Sequence, residues 1–323
     1  MGAGGATRGG IDLGGTKIQT VVVDDANDPL GDARRPTPQS GGPADVAAAM
    51  AEAMRDAAAG AGLETGALAG VGVGSPGGVD ERAGTVRGAK NLPGWEGTYA
   101  LGPELAEALG TRVRIGNDVD VATDAEFRLG VGTEYDSLLG VFWGTGVGGG
   151  LVLGGKPWVG QGSAGEFGHM VIERGGAHCP CGRRGCVEAY AGRAAMEAKA
   201  RHEHEEKGRD TDLFKLMRKH DRPKLTSGIW ERAVKQGDKL AIHLIDRAVD
   251  ALGTGIASAL NLLDLEAVVI GGGMGVRFGE PYAERISEAM MPHLFSDQRP
   301  PPIRVAALGD LGGAIGAALL VEG

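Results

Sequence analysis

The sequence predicts an α/β protein with mixed sheets, and its 323 residues are long enough for two lobes. Three observations carry this. Buried-type strands alternate with helical stretches along the chain. Glycine, at 59 residues against 15 prolines, sits inside apolar runs such as "GVGVGSPGG" and "GVFWGTGVGGGLVLGG", where tight turns rather than flexible linkers are expected. Finally, one strand–glycine turn–strand pattern occurs twice, as an internal echo far longer than a solenoid repeat.

Taken in order, "RGGIDLGGTKIQTVVVDD" reads as strand, turn and strand, with Ile11 and Leu13 before the turn and Val21 to Val23 after it. From Asp45 to Ala59, Val46, Met50, Ala53, Met54 and Ala57 follow helical spacing. "LAGVGVG" is a buried strand, followed by a loop through "SPGGVDERAGTVRGAKNLPGWEG". "RVRIGND" is a strand ending at a polar pair, and "VDVATDAEFRLG" a helix closed by Gly130. "SLLGVFWGTGVGGGLVLGGK" repeats the opening pattern. The chain is then helical and charged from Val187 to Gly237. A long helix follows, with Leu240, Leu244, Ile245, Ala248, Leu252, Ile256, Leu260 and Leu263 on one face. "EAVVIGGGMG" is a strand entering a glycine turn, and "IRVAALGDLGGAIGAALLVEG" a strand, turn and final helix.

The 33 basic against 42 acidic residues, a net charge of -9, argue against nucleic acid as a partner, since phosphate binding needs a concentrated basic surface. No run approaches the ~18 apolar residues of a membrane span. "MGAGGATRGG" lacks the apolar core of a signal peptide, so a cytoplasmic location is expected.

Three glycine turns follow buried strands: "DLGGTK" (Asp12 to Lys17), "WGTGVGGG" (Trp143 to Gly150) and "GGGMG" (Gly271 to Gly275). Their bare amides can cradle phosphate oxygens, with Thr16 adding a hydroxyl and Lys17 a cation, or each can be a plain hairpin turn. None fits a P-loop or a dinucleotide fingerprint. Asp118, after Asn117, stands at a strand end and at the cap position of the next helix. There it serves either as an N-cap or as a base that takes a proton from a hydroxyl attacking a phosphoryl group.

Cys179, Cys181 and Cys186, the only cysteines, join His169 in a Cys3His set suited to a closed, structural zinc site. His178 is the competing imidazole, but it abuts Cys179. A ligand histidine has a second nitrogen that must bond to something. With Glu166 and Glu188 beside it, the zinc would fix two carboxylates and one imidazole around a space fit for ring hydroxyls; either carboxylate alone is equally a surface charge.

"GIDLGGTK", "GVGSPGGVD", "GNDVDVATDAE", "WGTGVGGG", "GEFGHM" and "CPCGRRGCVEAY" resemble, in order, the motifs of the ROK family of sugar kinases and sugar-responsive repressors. The resemblance runs from about Gly10 to the end of the chain, and within the family it is nearest to bacterial ATP-dependent glucokinases. It implies the actin/hexokinase-like (ribonuclease H-like) two-lobed fold. The small lobe would be 1–118, completed by a C-terminal helix over 308–323, and the large lobe 119–307, the two closing on the sugar. Carried over, it makes Asp118 the base for the 6-hydroxyl of glucose, and makes Gly77, Asn91, Asn117, Glu166, His169 and Glu188 sugar-binding residues. His169 would also hold zinc with the three cysteines. Asp12, Gly14, Gly15, Thr16 and Lys17, together with Gly144, Thr145 and Gly146, would meet the ATP phosphates. Gly271, Gly272 and Gly273 would lie against the adenosine, and Mg2+ would bridge the phosphates near Asp12.

The resemblance also implies a homodimer or homotetramer. Residues 201–238 match no family motif and read as a helical surface elaboration at a dimer contact. A sugar-sensing repressor is the rival reading, but the eleven residues before Asp12 leave no room for the helix-turn-helix such repressors carry. A zinc-stabilised interaction domain would leave the glycine turns and Asn117–Asp118 unexplained. Other hexoses (N-acetylglucosamine, N-acetylmannosamine, mannose, fructose) and polyphosphate as donor remain open at this stage.

Overall fold

The computed structural model describes residues 6–296 and 298–322. The chain divides into two units. One runs through Thr133 and adds Val159–Gly162 and the stretch from Ala307 onward; the other is Glu134–Trp158 with Ser163–Ala306.

In the first unit β1 (Arg8–Leu13) and β2 (Lys17–Val23) form the expected antiparallel hairpin, Leu13 opposite Ile18. β3 (Pro29–Pro36) pairs with the outer side of β2. The sequence reading missed β3 because an edge strand facing solvent alternates arginine and aspartate with small residues and shows no apolar run. α1 (Pro43–Gly60) buries Val46, Met50, Ala53, Met54 and Ala57, the five residues its period predicted. A proline opens it, and the Asp45 carboxylate accepts the Gly42 N–H at 2.8 Å.

β4 (Val71–Ser75) lies parallel to β1. The expected loop after it instead folds into a small antiparallel sheet, β5 (Gly78–Asp80), β6 (Thr85–Arg87) and β7 (Thr98–Tyr99). These strands are too short to show a period. They hold because Val86 and Trp95 are buried, with the Trp95 ring edge-on to Tyr99 at 5.5 Å. α2 (Leu101–Leu109) leads to β8 (Val113–Asn117), parallel to β4, and then to α3 (Asp118–Leu129). The strand order is β3-β2-β1-β4-β8.

The C-terminal helix Gly312–Leu319 packs on this sheet. Its backbone comes so close that a Cβ on Gly10 would lie 1.9 Å from Ala314 O, and one on Gly72 1.7 Å from Ala317 O. Only glycine permits that approach.

The second unit repeats the plan. β9 (Leu138–Trp143) and β10 (Val147–Leu153) form an antiparallel hairpin, edged by β11 (Lys156–Pro157). β12 (Ala267–Gly271) runs parallel to β9, and β13 (Ile303–Val305) parallel to β12, giving the order β11-β10-β9-β12-β13. Between β11 and β12 come α4 (Glu188–Ala191), α5 (Arg193–Glu205), α6 (Leu213–Lys219), α7 (Ser227–Lys235) and α8 (Lys239–Leu263). After β12 come α9 (Gly272–Phe278) and α10 (Glu280–Met290).

α8 begins where the Asp238 side chain accepts the Ala241 N–H at 2.9 Å, and it buries Leu240, Leu244, Ile245, Ala248, Leu252, Ile256 and Leu260. Each large side chain among them contributes about 1.5–3 kcal/mol when fully buried. Leu263, expected on the same face, is exposed in the last turn, where the chain reverses through a left-handed Asp264.

Residues 201–238 also depart from expectation. Leu213, Phe214, Leu216, Leu225, Ile229, Trp230 and Ala233 are buried in the core of the second unit, so the segment is a wall of that core and not a surface addition. Its many charges, mostly exposed apart from the buried and ion-paired Glu203, mask this in the composition.

Candidate functional site

In the first unit the carboxyl ends of three parallel strands bring predicted residues side by side. Asp12 of β1 pairs with Gly74 of β4, and Ser75 of β4 with Asn117 of β8. Gly77, with φ +96°, turns the chain just past Ser75, and Asp118 follows Asn117. The cap role is held by Asn117, not Asp118. The Asn117 side chain accepts from Val119 N at 2.9 Å and Asp120 N at 3.3 Å, while Asp118 is the first helical residue. Asn117 is still extended and can turn its amide oxygen to the helix end; Asp118 is already helical, with one carboxylate oxygen 3.0 Å from Val119 N.

The Gly14–Thr16 turn closes with Gly14 N–H donating to Lys17 O at 2.9 Å. Its carbonyls are drawn back: the Thr37 hydroxyl donates to Gly14 O at 2.6 Å, Gln39 Nε2 to Gly15 O at 3.0 Å, and Thr37 N–H to Thr16 O at 3.2 Å. The carbonyls of Gly14, Gly15 and Thr16 are thus all engaged within the protein. Asn91 lies against the turn, for a Cβ on Gly15 would be 3.0 Å from Asn91 O. Burial pushes the Asp12 carboxyl above the ordinary carboxylate range, with Lys17 pulling the other way. Lys17 Nζ also stands 3.7 Å from Asp310.

In the second unit the Gly144–Gly146 turn closes with Gly144 N–H donating to Gly146 O at 2.9 Å. The third glycine run is no hairpin. Gly271 ends β12 and Gly272, with φ +78°, opens α9, placing a Cβ position on Gly144 4.0 Å from Gly273 N. Two of the predicted nucleotide loops thus meet at one sheet end.

Beside them His169, Cys179, Cys181 and Cys186 come together, their ligand atoms all within 4.8 Å of one another. Cys181 and Cys186 sulfurs are 3.8 Å apart, and Cys179 Sγ is 3.7 Å from His169 Nδ1. The edge of a tetrahedron with Zn–S bonds of about 2.3 Å is about 3.8 Å, so the set fits zinc. Gly182 and Gly185, at φ +91° and +81°, make the turns that gather the sulfurs. His178 is outside the cluster, its Nε2 2.5 Å from Arg184. Burial raises the Cys179 and Cys186 thiols, whereas a backbone hydrogen bond at Arg183 lowers Cys181. A zinc ion would hold all three as thiolates.

With Nδ1 toward the sulfurs, His169 turns Nε2 to Glu166, 3.8 Å away. Glu188 bridges the cluster and the glycine turn: one carboxylate oxygen is 3.9 Å from Cys179 Sγ, and the other accepts Val147 N–H at 2.9 Å. A Cβ on Gly146 would lie 2.3 Å from that second oxygen, which explains glycine there.

A model of the ROK family matches residues 8–323. The chain belongs to the ROK family. It is 33% identical over 321 residues to the glucokinase of Thermotoga maritima, covering 97% of this chain and 96% of that one. It is also 33% identical over 327 residues to the N-acetyl-D-glucosamine kinase of Salmonella arizonae, with 96% and 98% covered. Among solved structures it is similar to a ROK family glucokinase from Streptomyces griseus in complex with glucose and AMPPNP. The TM-score there is 0.81 and the identity 30%, over 98% of this chain and 99% of that chain. The fold is the actin/hexokinase-like one, α/β with mixed sheets.

Several residues of this ROK chain escaped the sequence reading. Thr37 and Gln39 hold the first glycine turn, and Arg193 donates to the Thr145 hydroxyl at 2.7 Å in the second. Tyr190 pins the loop that carries Cys179 and Cys181 by accepting Ala177 N–H at 2.8 Å and bonding Glu173. Their partners, backbone groups for Thr37 and Gln39 and side chains distant in sequence for Arg193 and Tyr190, leave no mark in a sequence.

Proposed function

We propose that the chain is a glucokinase, transferring the γ-phosphoryl group of ATP to the 6-hydroxyl of glucose. It is a ROK sugar kinase, an ATP-dependent hexose kinase; glucose as the preferred hexose is the finer part of the reading. The observation that carries it is His169 facing the three sulfurs with one nitrogen and Glu166 with the other, while Glu188 reaches the same cluster. One metal would thereby orient three hydrogen-bonding groups suited to a polyhydroxylated ring.

In this reading Asp118 is the general base that takes the proton from the attacking hydroxyl. Asn117, Gly77 and Asn91 line the sugar's surroundings, with Glu166, His169 and Glu188 binding hydroxyls. Gly14, Gly15, Thr16, Lys17, Gly144, Thr145 and Gly146 hold the phosphates, and Gly271 to Gly273 meet the adenosine. Zinc, held by His169, Cys179, Cys181 and Cys186, is structural, since four protein ligands leave no position for a water. Mg2+ supplies charge neutralisation on the phosphate oxygens. The buried Asp12 carboxyl, raised in pKa, is a group that a nearby cation relieves.

The test is initial rates with MgATP and with polyphosphate against glucose, mannose, N-acetylglucosamine, N-acetylmannosamine and fructose. The expected result is the highest kcat/KM for glucose with MgATP. A tenfold preference for N-acetylglucosamine would move the assignment to the function named for the Salmonella relative.

A further inference from the structure

Arg193 opens α5 directly behind the Gly144–Gly146 turn. Its N–H and that of Ala194 donate to Gly144 O and Thr145 O at 3.1 and 3.0 Å. Its guanidinium forks: Nη1 donates to Leu225 O at 2.7 Å and Nη2 to Thr145 Oγ at 2.7 Å. A guanidinium has donors only, so the Thr145 oxygen accepts and its own proton points away from Arg193. Thr145 is exposed, and among the described residues its hydroxyl donates to no group. Both acceptors of the fork are neutral, and among the described residues no carboxylate forms an ion pair with Arg193. Burial pulls its pKa down, with Glu197 opposing more weakly. The turn therefore carries an oriented O–H donor in front and a poorly compensated positive charge behind.

We propose that Arg193 is a positioning residue for nucleotide. It fixes the Thr145 hydroxyl so that its proton meets an anionic phosphate oxygen, and its charge adds to the field of the turn. A donor set in place before the ligand arrives needs no reorganisation on binding. Lysine at this position would keep the charge but lose the planar fork that serves Leu225 and Thr145 together. The inference rests on the reading of Gly144–Gly146 as a phosphate seat.

The experiment is a double-mutant cycle on the full chain with zinc bound. AMPPNP with Mg2+ is titrated calorimetrically into wild type, Thr145→Val, Arg193→Met and the double variant, and glucose is titrated separately. Each single variant is expected to weaken AMPPNP binding about tenfold, roughly 1.4 kcal/mol. The double should be no weaker than the worse single, and glucose affinity should change less than twofold in all. Additive losses, near a hundredfold in the double, would overturn the proposal, as would equal losses for glucose and nucleotide in Arg193→Met.

Arg193→Met also frees Leu225 O, so Arg193→Lys replaces it should the methionine variant not melt cooperatively. About a threefold loss is expected for lysine, and wild-type affinity there counts against the role. Should Thr145→Val bind AMPPNP like wild type, the phosphate-seat reading falls and the inference with it. Should Thr145→Val lose affinity while Arg193→Met keeps it, only the inference falls.

Discussion

In the first unit the central hairpin ends in a turn braced from one side by Thr37 and Gln39, which take up its carbonyls and leave Lys17 as its cation. In the second unit the equivalent turn carries no lysine. It is clamped by a helix start, by Arg193 and by Glu188, and Glu188 leads on to the Cys3His cluster. The same strand order thus supports two kinds of turn. One has its charge on the turn itself; the other is held by side chains from the helix and loop behind it. A fold used twice can divide the work of a reaction without changing its sheet.

The sharpest break between the units is expected at Asp118, which belongs to the first. Asp118→Asn should lower turnover by about 10²–10⁴ in a coupled assay. Melting should stay within a degree or two, because Asn117 holds the cap and an amide oxygen can keep the bond to Val119 N–H. Asn117→Ala, by contrast, should cost about 1 kcal/mol of stability. Full activity in Asp118→Asn would end its assignment as base.

Next in size is the metal. Wild type should contain one zinc per chain by elemental analysis, and Cys181→Ser should lose it along with at least about tenfold in glucose affinity. Amide exchange should then quicken around β9 and β10 while the β1–β2 amides keep their protection. Because three thiols must lose protons to bind zinc, metal should be released as pH falls. Active protein without metal would refute the structural-zinc reading.

A smaller contrast comes from alanine in the two turns. Gly146→Ala pushes on the Glu188 oxygen and strips the bond from the buried Val147 N–H, a loss of about 1–3 kcal/mol. Gly14→Ala meets Lys17 O at 3.1 Å and should cost less. Denaturant melts of the two variants compare them directly; equal losses would show that Glu188 is no clamp.

The smallest effect is a matter of sign. Asp12 has its folded pKa raised by burial, so the native state keeps a proton that the unfolded chain releases near its ordinary value of about 3.8. Its ionisation costs stability as pH rises from there through the folded pKa. Asp12→Asn should therefore raise the melting temperature at pH 7.5, lose that gain as the pH is lowered toward 4, and impair turnover with MgATP. A lower melting temperature at pH 7.5 would contradict this.

Much of this was legible in the residues. Both hairpins showed because apolar strands flank glycines, and the long helix because its period persists over seven buried positions from Leu240 to Leu260. The cluster of His169 with three cysteines was readable because metal ligands are few and close in sequence. What failed lacked a local signal. The strands of β5 to β7 are two or three residues long, β3 is a polar edge, and the buried residues of α6 and α7 are sparse among charges. The Asn117–Asp118 cap was misassigned by one residue because both side chains cap well and only backbone geometry separates them. Arg193, Thr37 and Gln39 act through tertiary contacts that no spacing announces.

The seat that Gly10 and Gly72 offer the C-terminal helix sets a timetable for synthesis. Arg8, which starts β1, is ion-paired to Glu322, 314 positions later. On the ribosome the first sheet emerges early but waits for its covering helix, whereas the second unit is complete once β13 has left the tunnel. The unit made first is the one finished last. During that interval the face of β1 and β4 lacks the helix that covers it in the finished fold, and transiently exposed apolar surface of that kind is prone to aggregate.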